Sequence, residues 1–302
     1  MLGLEYFSFS DLWSPLFLGF MLLATIAYLM AVGPMRHRFA DSDKISLAKK
    51  ISFVTGMVLL YVAQGGPISF LSHMMFSFHM VAMALSYIIA PPLLLMGTPA
   101  WLWRAILKYN PLRKFGFLMN PIFAAVLFNV LFSLYHVPAV HDYVMLNFTV
   151  HRLYYIALFI TSMMMWWPLL CPVPEWNNMS DVKKMGYIFL NSVLITPACG
   201  LIIFAGAPVY ATYNDPEIWS QAMGYCFSGD PAVLLELYEG PAFFNLFTPL
   251  EDQQIGGIAM KLIQEFVNGS VLAYVFIHWF KRESKDDDIM DVIPETGQLN
   301  KA

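Results

Sequence analysis

Long stretches of this chain carry no charged side chain, and their lengths decide what it can fold into. One runs from Leu12 to Met35 and another from Ile51 to Trp103. A bilayer's hydrocarbon core takes about 20 apolar residues per helix, so the first gap is one span and the second is long enough for two. Composition agrees: of 302 residues, 58% are hydrophobic and 13% charged, against about a quarter charged in soluble domains. Gly65-Gly66-Pro67 breaks the long gap and predicts a helical hairpin over about 50–66 and 70–96. Further spans fall at about 119–137, 152–171, 185–207 and 255–280. The expectation is an all-α membrane protein: a bundle of seven transmembrane helices over 1–280, then a charged, disordered cytoplasmic tail over 281–302.

Loops rich in Lys and Arg stay in the cytoplasm, which orients the bundle. Arg36, Arg38, Lys44, Lys49 and Lys50 lie between spans one and two, and Arg104, Lys108, Arg113 and Lys114 between three and four. Lys183 and Lys184 precede span six, and Lys281, Arg282, Lys285 and Lys301 follow span seven. The N-terminus, the hairpin turn, 138–150 and 208–252 carry neither residue, so they belong outside, with the C-terminus inside. Only Arg152 and Lys261 break the pattern. The first eleven residues lack a basic signal-peptide region, so span one is expected to be retained. Trp13, Trp101, Trp103, Trp166, Trp167 and Trp279 read as interfacial anchors. Cys171, Cys199 and Cys226 form no CxxC pattern and read as structural.

Five of the seven histidines, His73, His79, His136, His141 and His151, map to the outer half. Ionisable groups in a bilayer are costly and turn towards a bundle interior or cavity, so each is a candidate functional residue. In span three, Met75, His79 and Met83 are four apart and share a helix face. Imidazole with thioether suits Cu(I) and suits magnesium or calcium poorly. Core packing accounts for the methionines equally well. Asn129, Ser133 and His136 form a stripe at the end of span four, while His151, Tyr155 and Ser162 continue along span five. Interhelical hydrogen bonding is the competing reading for the polar members. His141, beside Asp142 in a short outer loop, reads as solvated. The candidate metal ligands are therefore His73, His79, Met83, His136 and His151.

Lys261 and Glu265 are spaced to pair on span seven, either to lock the bundle or to serve ion passage. Segment 208–252 holds Asp215, Glu217, Asp230, Glu236, Glu239, Glu251 and Asp252 with no Lys or Arg. That acidic surface could dock a basic partner or concentrate cations.

Several ordered stretches resemble the CtaG-type cytochrome c oxidase assembly factors of Gram-positive bacteria, over nearly the whole chain. They are Trp13-Ser14-Pro15, Arg36-His37-Arg38-Phe39, Ser72-His73 through Ser77-Phe78-His79-Met80, and Ala90-Pro91-Pro92-Leu93 with Gly97. Phe132-Ser133-Leu134-Tyr135-His136, Met165-Trp166-Trp167-Pro168-Leu169 and Leu194 to Ala198 follow. Tyr210-Ala211-Thr212-Tyr213 and Glu251-Asp252-Gln253-Gln254 with Gly256-Gly257 complete the set. The resemblance implies a multi-pass, non-enzymatic factor of the bacterial cell membrane, needed to make an active haem-copper oxidase by helping supply its copper. Its implied partners are oxidase subunits, the lipid bilayer and an external copper donor, with homo-oligomers open and no nucleic acid. Many members of the wider family carry His-Met-x-Gln-His in span three; here His79-Met80-Val81-Ala82-Met83 puts a methionine in place of the second histidine, which keeps a soft Cu(I) ligand.

Two readings compete with the copper carrier. One is a haem or quinone redox protein with His79 and His151 as axial ligands, and the other is a metal-free scaffold for nascent oxidase subunits. A zinc hydrolase fits less well, because no acid stands beside a histidine pair at helical spacing.

Overall fold

The computed structural model describes residues 4–108, 120–177, 179–227, 229–244 and 247–292; Arg113, Lys114 and Lys301 lie outside them. Among the described residues the regular elements are all helical. They are α1 (Phe9–Trp13), α2 (Pro15–Val32), α3 (Leu47–Gln64), α4 (Pro67–Leu71), α5 (Phe76–Ala84), a π-helical turn (Leu85–Ile89), α6 (Ala90–Gly97) and α7 (Ala100–Lys108). Then follow α8 (Pro121–Tyr135), α9 (Pro138–Met145), α10 (Phe148–Leu170), α11 (Asp181–Ile203), α12 (Pro216–Met223), α13 (Pro231–Tyr238) and α14 (Pro249–Val292). Short 3-10 turns join several of them.

Six units are long and apolar enough to cross a membrane: Phe9–Val32, Leu47–Leu71, Phe76–Gly97, Phe148–Leu170, Asp181–Ile203 and Pro249–Ser284. The pair α8 and α9, bent by 79°, makes a seventh if counted as one span. Pro138 at the first position of α9 explains the bend, since a proline starts a helix readily but cannot continue one. Leu16, Phe204 and Phe266 are 93%, 86% and 78% exposed, a surface suited to lipid tails and not to water. Phe76–Gly97 is the centre of the bundle, with 72% of its span buried against 17% for Phe9–Val32.

The hairpin does not reverse where the glycines predict. Pro67 occupies the first turn of α4 and restarts the helix, so span two runs on to Leu71. The reversal falls at Ser72–Met75, which holds no glycine or proline. A distant carboxylate stabilises it: Asp252, at the start of α14, accepts the Phe76 N–H at 2.7 Å and the Ser77 N–H at 3.4 Å. An anion is favoured at the N-terminus of α5, where backbone donors are unpaired. The rest of that motif ties α14 to the end of α11. Gln253 accepts the Val209 N–H at 2.8 Å and donates to the Ile202 carbonyl at 3.2 Å, and Gln254 donates to Ala205.

Spans two and three lie antiparallel, with Ser52 donating to the Leu93 carbonyl and Gln64 to Ser86 Oγ. At Gly97 a Cβ would stand 2.6 Å from the Phe53 backbone nitrogen, so only glycine admits this approach. Pro91 and Pro92 have no N–H to offer the Tyr87 carbonyl, which instead accepts Ser162 Oγ at 2.5 Å and Trp166 Nε1 at 3.3 Å. Trp166 is therefore a core residue, 1% exposed, and not the expected interfacial anchor.

Segment 208–252 is a folded cap. Trp219, Met223, Leu234 and Phe244 pack on Phe7, Phe70, Leu71, Met74 and Met75 and seal one end of the bundle. Some of its acids serve as caps: Asp215 accepts the Glu217 and Ile218 N–H groups, and Asp230 accepts that of Ala232. At the other end Arg104 binds Glu175 in a fork at 2.6 and 2.9 Å. Those bonds from the guanidinium hold the Glu175 carboxyl down to about 2. The chain stays helical past Lys281, to Val292, and Arg282 pairs with Asp181.

Lys261 and Glu265 pair at 2.6 Å, and the ammonium also donates to Thr196 Oγ1 at 2.9 Å and the Ser192 carbonyl at 3.4 Å on α11. Breaking one side of such a pair leaves a charge without its partner. Lys261→Met or Glu265→Met alone is expected to lower folded yield more than both together; additive losses in detergent-purified yield would show the charges to be uncoupled.

Candidate metal centre

Beneath the cap, α5, α8 and α9 bring three imidazoles together. The His79 ring centre lies 5.2 Å from that of His141 and 6.1 Å from that of His136. All three side chains are buried: His79 is 1%, His136 5% and His141 0% exposed. Their bonding determines which nitrogens are free. His136 Nδ1 bonds the Phe132 carbonyl at 2.7 Å, and His141 Nδ1 lies 3.5 Å from Asp142 Oδ1. His136 Nε2, His141 Nε2 and both nitrogens of His79 have no hydrogen-bond partner. A buried polar atom without a partner costs on the order of 1–3 kcal/mol, so four in one place call for a ligand.

Aromatic rings wall this chamber. Tyr135 stacks on His79 at 5.6 Å, and Phe76, Tyr210 and Tyr213 surround His141 at 6.2, 4.7 and 5.6 Å. The Tyr210-Ala211-Thr212-Tyr213 motif is its lid. Tyr210 donates to the His136 carbonyl at 2.8 Å and Tyr213 to that of Ser72 at 2.6 Å. Asp142 accepts the Ala211 and Thr212 N–H groups, at 3.1 and 3.2 Å, together with the Thr212 hydroxyl. Asp142 thus fastens the lid and orients His141 with one carboxylate.

His141 was expected in solvent and is instead at the centre. The bend after Tyr135 turns it inward on α9, something a helix-or-loop reading of residues 136–147 does not show. His79 and His136 meet as expected. His73 and His151 meet each other, with ring centres 5.7 Å apart, but they line a separate cavity of about 330 Å³ with Cys226. Burial works against a charge on His73, but the adjacent Cys226 thiol and the Ser69 carbonyl outweigh it and lift the His73 pKa above the ordinary histidine value. Met83 packs in the apolar core with Met80, Ala84 and Tyr87. Met75 precedes α5 as its N-cap and packs under the cap, so the Met75, His79 and Met83 ridge does not form. Asn129 bonds Asn191 across α8 and α11 at 3.0 Å, as a structural tie.

Three imidazoles each giving one nitrogen at about 2 Å to a trigonal ion would set ring centres roughly 5–6 Å apart. The two distances from the His79 ring, 5.2 Å to His141 and 6.1 Å to His136, fall close to this. Among the described residues no three His, Cys, Asp or Glu side chains are already closed to chelating distance, so binding requires the rings to turn. No curated relative and no solved structure matches the chain. The family model for the cytochrome c oxidase caa3 assembly factor (Caa3_CtaG) matches residues 26–282, nearly the whole bundle, and the chain belongs to that family.

Proposed function

We propose that this assembly factor takes Cu(I) as its cargo, holds it between His79, His136 and His141, and releases it to a haem-copper oxidase subunit in a bacterial cell membrane. One observation carries the reading: the four buried ring nitrogens with no hydrogen-bond partner. Three neutral imidazoles suit Cu(I). The His141–Asp142 contact supplies the carboxylate that commonly orients a ligating histidine. A haem bridging His79 and His151 would need a slot beside His79, where Tyr135, His141 and His136 already stand within 6.1 Å. The deciding experiment is anaerobic Cu(I) titration of detergent-purified protein against a competing chelator. Copper retained in the presence of the chelator supports the carrier; none retained would leave a metal-free scaffold.

The orientation follows from the basic loops, with the chamber and cap outside the cytoplasm. Reporters fused near residues 45, 180 and 290 should behave as cytoplasmic, and those near 68, 145 and 230 as external. An external signal near 180 would overturn this arrangement.

A further inference from the structure

The cavity beside the chamber is built like a receiving site. His73, His151, Cys226, Arg152, Tyr155 and Gln64 are among its lining residues. His73 Nδ1 bonds the Ser69 carbonyl at 2.9 Å, so that nitrogen carries a proton and Nε2 is the one a metal would take, in place of any proton there. The Cys226 thiol stands beside that ring. Across from it His151, 8% exposed, has a buried Nε2 with no hydrogen-bond partner.

We propose that Cys226, His73 and His151 form a second Cu(I) site, an outer station that receives copper before it moves to the chamber. The order of the two stations rests on the chamber reading above; the binding itself does not. A thiolate and two imidazoles make a soft, three-ligand set that Cu(I) accepts, whereas zinc generally takes four ligands. Binding replaces the S–H proton, which leaves to water, and the copper stays Cu(I) throughout. A hydrogen-bonded tyrosine pair links the stations: the Tyr155 ring is 4.1 Å from His151, its hydroxyl is 3.2 Å from that of Tyr135, and Tyr135 stacks on His79.

The test is alkylation of Cys226 by a maleimide in the full-length protein carrying Cys171→Ser and Cys199→Ser, with and without one equivalent of Cu(I) under anaerobic conditions. Copper is expected to slow alkylation at least 10-fold, in the His79→Ala background as well, because the outer site needs no chamber ligand. His151→Gln, which keeps the thiol, should remove that protection. Equal alkylation rates with and without Cu(I) in both backgrounds would overturn the outer site and leave the chamber reading untouched. Protection that persists while His79→Ala loses no copper would sink the chamber and keep the outer site. Protection by zinc but not by Cu(I) would overturn the copper assignment.

Discussion

His141→Ala is expected to remove Cu(I) from the chamber as completely as His79→Ala, weakening binding by more than about 100-fold, since losing even an outer-shell partner commonly costs about 10–100-fold. Oxidase activity in cells should fall with it, while the amount of this protein in the membrane stays near wild type. Asp142→Asn should fall between: its single amide oxygen can serve only one of the Ala211 and Thr212 N–H groups, which bond different carboxylate oxygens, and the charge beside His141 is lost, for a loss of about 10–100-fold. Anaerobic competition titration gives the affinities, and immunoblotting of membranes gives the abundance. If the histidines only cross-link helices, abundance falls and copper per remaining molecule does not change. A His141→Ala protein with full abundance, full copper and full oxidase activity would end the three-histidine proposal.

The spans were legible because their signal is local. About 20 apolar residues without charge can hardly be anything else in a chain this hydrophobic, and the helices fall close to the charge-free gaps. What the sequence hid depends on distant partners. The turn at Ser72–Met75 carries no turn residue because Asp252, 176 residues away, completes it. His141 looked solvated because its neighbour Asp142 is charged, yet that carboxylate is engaged by Ala211 and Thr212 of the lid. Cys226 has no cysteine near it in sequence, and its partner is His73 from another turn. The methionine row failed for a related reason. Helical spacing places Met75, His79 and Met83 on one face only if the helix includes all three, and α5 begins only at Phe76, after the reversal.

Asp252→Ala should produce a large loss of stability. The carboxylate is 1% exposed and is the acceptor for the Phe76 and Ser77 N–H groups. Removing it leaves both donors without that acceptor in a buried place and takes the negative charge from the N-terminus of α5, for a cost of about 2–4 kcal/mol. Asp252→Asn keeps an acceptor oxygen of similar shape and should lose only about 1 kcal/mol. Thermal unfolding in detergent would order the three proteins as wild type, Asn, then Ala. The effect should extend to the chamber, because the His79 N–H bonds the Met75 carbonyl in the first turn of α5, and fraying of that turn would move the imidazole. Copper affinity should therefore fall in Asp252→Ala although Asp252 is no ligand, and lowering the temperature should restore part of it as the turn re-forms. His79→Ala cannot be rescued this way, since cooling restores a helix turn but not a missing ring. An Asp252→Ala protein as stable as wild type would show that the reversal before α5 is held by its own residues and not by α14.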